Sequence, residues 1–151
     1  MTTVAFSKKH GIMAGDRMSC ESNTKYGRMT KIFRSRDHLV GFSGESGVAM
    51  VLLRWFERGA LEEEWPDPHG EDGLDANMLV VTPGGRIMAY ERFPIPMTLE
   101  SEFSAIGSGR DFALAVMQLG YDPVKAIEVA SELDCFTGGG VDVLHLKDPV
   151  H

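Results

Sequence analysis

"MTTVAFSKKHGIMAGDR" (residues 1–17) decides how this chain is read. Thr2, Thr3 and Val4 are β-branched and suit a pleated strand. His10-Gly11 supplies a turn between a run at 2–9 and a second at 12–17, so the stretch predicts an antiparallel hairpin. The paired threonines have two readings. One is strand propensity and nothing more. The other is chemical: removal of Met1 leaves Thr2 carrying a hydroxyl and a free α-amine on one residue. These residues alone do not choose between them.

The bulk properties narrow the field. At 151 residues the chain fits one domain over 1–151, large enough to bury a core. Its 43% hydrophobic and 25% charged content is that of a globular protein. A formal charge of -7 argues against a nucleic-acid partner, which calls for a basic face. No apolar run approaches a membrane span, and Lys8, Lys9 and His10 interrupt any signal-peptide core. Cys20 and Cys135 form no CxxC pair, and the five histidines fit no zinc spacing. A reduced, cytoplasmic setting is the expectation.

Further along, "MTKIF" (29–33) and "HLVGFSG" (38–44) read as strands, with Lys31 inside the first. Val48, Val51, Leu52 and Trp55 recur at helical spacing until Gly59. The acidic segment 61–75, with Glu62, Glu63, Glu64, Asp67, Glu71, Asp72 and Asp75, reads as an exposed loop. "NMLVVTPGGRIMAYERF" (77–93) is two strands around a PGG turn. A strand at 102–109 enters a helix whose expected apolar face is Phe112, Ala115, Val116 and Leu119. Asp122-Pro123 opens another helix, with Val124 and Ile127 inward, and "GGGVDVLHL" (138–146) is a last strand. Strands come in hairpin-linked runs, which favours an α+β fold of stacked antiparallel sheets covered by helices.

The glycine-rich "AIGSGRDFALAV" (105–116) lacks both a P-loop ending and the third glycine of a dinucleotide fingerprint. A tight strand-to-helix turn using Gly107 and Gly109 explains it better. Polar residues at strand and helix ends carry more: Asp16, Lys31, Ser108, Asp134 and Thr137. Each alone reads as a turn, cap or surface residue.

Their order together with Thr2 is a different matter. "MTTVAFSKKHGIMAGDR", "TKIF", "GFSG", "AIGSG" and "DCFTGGG" resemble, nearly end to end, the proteasome β-subunit family, and in size its bacterial HslV-type peptidases. The resemblance implies a four-layer αββα sandwich, the N-terminal-nucleophile hydrolase fold. It implies an N-terminal threonine endopeptidase with Thr2 as nucleophile after Met1 removal, and Asp16, Lys31, Ser108, Asp134 and Thr137 as its catalytic set. Gly44 is implied as oxyanion donor, Ser19 as the residue pairing with the substrate strand, and Phe42 as a wall of the adjacent pocket.

The set is chemically coherent. A threonine hydroxyl needs a nearby base. An α-amine titrates at about 7.7–8.0 in model peptides, close to working pH. The charge of Lys31 would favour the alkoxide, and Asp16 would offset that lysine's burial. No cofactor is required. The resemblance also implies a structural Mg, Ca or Na ion on the backbone carbonyls of Ser131, Asp134 and Thr137, a donor type suited to such cations. Its implied partners are further copies of the chain in a ring, an ATP-dependent unfoldase, and peptide or unfolded-protein substrates. The family's second helix is missing between Gly59 and Asn77. A catalytically silent assembly subunit is the alternative that this gap leaves open.

Overall fold

The computed structural model describes residues 2–22, 24–69 and 75–147. The predicted hairpin is its centre. Strands β1 (Thr3–Ser7) and β2 (Ile12–Asp16) pair antiparallel, Val4 opposite Gly15 and Ser7 opposite Ile12. They occupy the middle of a four-stranded sheet, flanked by β10 (Phe103–Gly107) and β11 (Val141–His145). Every residue of β1 is buried, because both faces of the sheet are covered. Alternation along the strand sorts the side chains. Val4, Phe6 and Met13 point to a second sheet, whereas Ala5, Ala14 and Ala105 form a low floor under helices.

Between these lie a separate hairpin, β3 (Met18–Glu21) with β4 (Thr24–Arg28), and the second sheet. That sheet runs β5 (Ile32–Ser35), β6 (His38–Gly44), β7 (Ala76–Val81), β8 (Ile87–Tyr90) and β9 (Met97–Leu99), neighbours antiparallel throughout. Ile32, Leu39, Leu79, Val81 and Ile87 meet Val4, Phe6 and Met13 in a dry inter-sheet core. The opposite face, with Val40, Phe42, Met78 and Val80, is covered by helix α1 (Ser46–Glu57) through Ala49, Leu52, Leu53, Trp55 and Phe56. Helices α2 (Arg110–Gln118) and α3 (Pro123–Leu133) lie on the alanine floor. Helix, sheet, sheet, helices: the αββα sandwich expected from the sequence is the fold.

Four local expectations need correction. Strands Met18–Glu21 and Thr24–Arg28 form the β3–β4 hairpin, bulged between Ser19 and Cys20, although the sequence reads as a polar stretch from the end of the first hairpin through Asn23. Lys31 sits one residue ahead of β5, not within a strand. The three-residue edge strand β9 was not predicted. Helix α2 is rotated from its expected phase. It buries Ala113 and Met117, and leaves Phe112 38% and Leu119 78% exposed. Over an alanine floor the small Ala113 permits the close helix–sheet approach that a phenylalanine would block. Helix α3 follows expectation: the Asp122 carboxylate accepts the Lys125 amide, Pro123 opens the first turn, and Ile127 is buried.

The acidic segment is only partly the exposed loop it was expected to be. Glu62–Glu64 form an exposed 3-10 turn. Trp65 then turns inward, its ring edge-on to Trp55 at 4.8 Å and 6.3 Å from Tyr90, while the Trp55 Nε1 donates to the Leu61 carbonyl at 2.8 Å. This aromatic cluster pins the loop onto the sheet face beside α1. Glu71 and Asp72 lie outside the described residues. No described helix is long and apolar enough to cross a membrane. Trp65→Ala is expected to cost about 2 kcal/mol, less than a fully buried tryptophan because the ring is only partly buried, read as a lowered urea midpoint at unchanged slope.

Candidate active site

The site forms where β1 begins and β2 ends. Asp16, the last residue of β2, is fully buried, and a buried carboxylate needs compensation. Its Oδ1 accepts from the Lys31 Nζ at 2.8 Å and from the Thr3 amide at 3.0 Å, and its Oδ2 from the Gly138 amide at 3.0 Å. One carboxylate therefore fastens the starts of β1 and β5 and the glycine run before β11. The Lys31 side chain is 5% exposed, so its charge is delivered into a desolvated place.

A second network lies on the other side of the strand start. The hydroxyls of Ser108 and Thr137 each donate to the Asp134 Oδ2 at 2.6 Å, and the Phe136 amide donates to its Oδ1 at 3.2 Å. With the Thr137 proton so committed, the 2.7 Å contact between Thr3 Oγ1 and Thr137 Oγ1 has Thr3 as donor. Likewise the Ser108 oxygen is left to accept the Thr2 nitrogen at 3.3 Å. Burial would raise the Asp134 pKa; the Ser108, Thr137 and Phe136 hydrogen bonds outweigh it and hold the carboxyl below its ordinary 3.8.

Two glycines make room for this. A Cβ on Gly107 would lie 1.9 Å from the Thr2 carbonyl oxygen, and one on Gly109 2.1 Å from the Thr3 hydroxyl. No side chain can be inserted at either place without moving the strand start. Gly107 also has φ +101°, which glycine alone adopts readily.

Thr2 opens onto a cleft of about 310 Å³ whose walls are Met18, Ser19 and Cys20 of β3 on one side and Gly44, Glu45, Ser46 and Asp75 on the other. Beside it a smaller pocket runs between Thr2, Met29 and Phe42 and the first turns of α1 at Ala49 and Met50. Thus Thr2, Asp16, Lys31, Ser108, Asp134 and Thr137 are brought together, and Gly44, Ser19 and Phe42 border the adjoining space. Thr3, which sequence reasoning passed over, is fully buried and bonded into both networks. The signal was present: period-two alternation sends neighbouring threonines to opposite sides. Met29, Met50 and Asp75 were also missed, because they meet only through long-range packing.

For a cation, Ser131 lies in the last turns of α3 and Asp134 and Thr137 follow it. The Asp134 carbonyl already accepts the Thr137 amide at 3.2 Å and the Ser131 hydroxyl donates to the Ile127 carbonyl. Among the described residues no cluster of His, Cys, Asp or Glu side chains could hold a metal.

Two antiparallel sheets between helical layers, with a threonine entering the first central strand, define a protein of the N-terminal-nucleophile hydrolase fold. The chain is 28% identical to proteasome subunit beta 1 of Thermococcus kodakarensis, covering 97% of this chain and 88% of that protein, and 27% identical to its counterpart in Thermococcus onnurineus over the same shares. No protein-family model matches the chain. In structure it is similar to the HslV of Trypanosoma brucei, with a TM-score of 0.73 at 24% identity over 95% of this chain and 98% of that one. It is equally similar, at 0.73 and 21% identity over 97% and 100%, to Thiobacillus denitrificans BPH in complex with epoxomicin. By sequence the chain is similar to proteasome β subunits, and its fold is that of HslV.

Because the Asp134 carboxyl is depressed in the folded state, the folded protein binds that proton less readily than the unfolded chain. Its contribution to stability is present above 3.8 and drains as pH falls through the lower folded value. Asp134→Asn is therefore expected to lose less stability than wild type between about pH 6 and pH 3, compared by urea unfolding at each pH.

Proposed function

We propose that this chain is a threonine peptidase that cleaves peptide bonds through an acyl-enzyme on Thr2, once the residue before Thr2 is removed. The observation that carries the reading is the approach of the Thr2 nitrogen to Ser108, itself bonded to Asp134, with the Lys31–Asp16 pair at the same strand start. Freed as an amine, that nitrogen would take the proton from its own Oγ1 as the oxygen attacks the scissile carbonyl carbon. Ser108, accepting an N–H, would turn the amine's lone pair toward the hydroxyl. The Lys31 ammonium would favour the developing alkoxide. The Gly44 amide would receive the oxyanion, typically the largest single contribution to such a barrier reduction.

Collapse of the tetrahedral intermediate breaks the C–N bond, and the amine returns its proton to the leaving group. Water, deprotonated by the same amine, then hydrolyses the ester and restores Thr2. A peptide lying between Ser19 and Gly44 would place the side chain before the cleaved bond in the pocket beside Phe42, Ala49 and Met50, where an apolar residue fits. A magnesium, calcium or sodium ion on the carbonyls of Ser131, Asp134 and Thr137 would steady the Asp134 turn and take part in no step.

A homo-oligomeric ring with its sites facing an inner chamber belongs to this reading, fed by an ATP-driven unfoldase in the cytoplasm. Exposed Phe112, Leu119, Tyr121 and Leu133 support self-association, being apolar surface that another copy would cover. Native mass spectrometry reads that assembly directly. The alternative, a catalytically silent assembly subunit, rests on the helix missing between Gly59 and Asn77 and on retention of Met1 in the mature protein. Intact mass of protein from its native host separates the two, since the silent subunit keeps that methionine. Thr2→Ala is expected to abolish peptide hydrolysis at unchanged thermal stability, and an epoxyketone is expected to form a covalent adduct with wild type alone. Full residual activity in the variant would remove Thr2 as nucleophile.

A further inference from the structure

The segment that presents Gly44 to the cleft has an unusual neighbour. Gly44 ends β6 with φ +103°, opposite Ala76 in the register with β7. A Cβ there would lie 2.3 Å from the Asp75 carbonyl oxygen and 2.7 Å from the Ala76 Cα. The same Asp75 carbonyl accepts the Glu45 amide at 2.7 Å. Asp75 is thus the support against which the Gly44–Glu45 peptide rests, and any shift of its backbone is transmitted to the Gly44 N–H.

What fixes Asp75 is the base of the acidic loop. His69 and Asp75 form an antiparallel bridge, and the Ala76 amide donates to the Pro68 carbonyl at 3.3 Å. The His69 ring is mostly buried, at 19% exposure, with Nδ1 3.8 Å from the Asp75 Oδ2. Among the described residues its Nε2 is buried without a hydrogen-bond partner. Burying an unpartnered ring nitrogen is unfavourable. The ring's other nitrogen faces the Asp75 carboxylate, which is 63% exposed, across a gap longer than a hydrogen bond.

We propose that His69 is a positioning residue for the oxyanion donor: through the Nδ1 contact it holds Asp75, and Asp75 holds Gly44. The inference rests on the peptidase reading above, since it assigns a task to the Gly44 amide. Nothing in it requires His69 to touch substrate.

Three measurements on the full-length mature protein test it. His69→Ala is expected to lower kcat about tenfold with KM within about twofold, as expected when a donor used only in the transition state is displaced. His69→Asn, whose side-chain nitrogen falls near the place of Nδ1, is expected to recover most of the loss. Hydrogen exchange gives a readout independent of turnover: the Glu45 amide is expected to exchange about tenfold faster in His69→Ala. The Phe42 amide, which donates to the Lys31 carbonyl at 3.1 Å, is expected to stay unchanged. An active wild type whose alanine variant keeps its kcat, an asparagine variant no better than alanine, or an unaltered Glu45 exchange rate overturns the inference alone. A wild type that neither cleaves peptides nor takes an epoxyketone adduct overturns it together with the peptidase reading.

Discussion

A carboxylate with no exposure to solvent is a cost that the fold must offset at every opening and closing, and Asp16 is offset from three directions. The Lys31 ammonium neutralises it, and the Thr3 and Gly138 amides fill its remaining acceptor sites. Removing one partner of such a pair typically costs about 3–5 kcal/mol, because the other charge stays buried. The geometric consequence matters more than the energy. Three segments far apart in sequence, the start of β1, the approach to β5 and the turn before β11, converge on one side chain. Without that convergence Thr2 has no fixed place beside Lys31, and the proposed chemistry has no charge next to its nucleophile.

The paired threonines show how one strand serves both purposes. Thr3 spends its amide on Asp16 and its hydroxyl on Thr137, so it is wholly structural. Alternation then sends Thr2 outward to the cleft, with its nitrogen against Ser108. Thr137 and Ser108 converge on one oxygen of Asp134, which gives their protons a fixed direction. A depressed carboxyl is the electrostatic trace of that arrangement. The strand start is thereby clamped on both sides, and the glycines at 107 and 109 are the condition for the clamp to close.

Much of this was legible in the sequence because it is local. The β1–β2 hairpin announces itself through β-branched residues and a His-Gly turn, and α3 through its Asp-Pro entry. The ordered motifs carried the resemblance from which the site residues were drawn, yet no spacing rule says that Asp16 and Gly138 touch. What stayed hidden depends on neighbours that sequence alone does not show. The β3–β4 hairpin stands outside both sheets, so it has no apolar alternation to read. The phase of α2 is chosen by the alanine floor beneath it, so that Ala113 and Met117 are inside where apolar spacing points to Phe112, Ala115, Val116 and Leu119. Met29 and Met50 become pocket walls only when a loop and a helix meet across Thr2.

The segment between α1 and β7 poses a last physical problem. A sheet face stripped of its cover exposes apolar area, and at about 25 cal/mol per Å² even one uncovered aromatic is a liability. Here a short segment answers with Trp65, whose ring packs on Trp55 and Tyr90. The segment does more than cover. A helix carries its own backbone hydrogen bonds and can sit on a sheet as a rigid unit, whereas this segment satisfies part of its backbone on its neighbours, through Pro68 to Ala76 and His69 to Asp75. Those neighbours are the residues against which Gly44 rests. The cleft wall is therefore fastened at the foot of an acidic loop, and surface charge comes to lie within a few residues of the backbone amide proposed to meet the oxyanion.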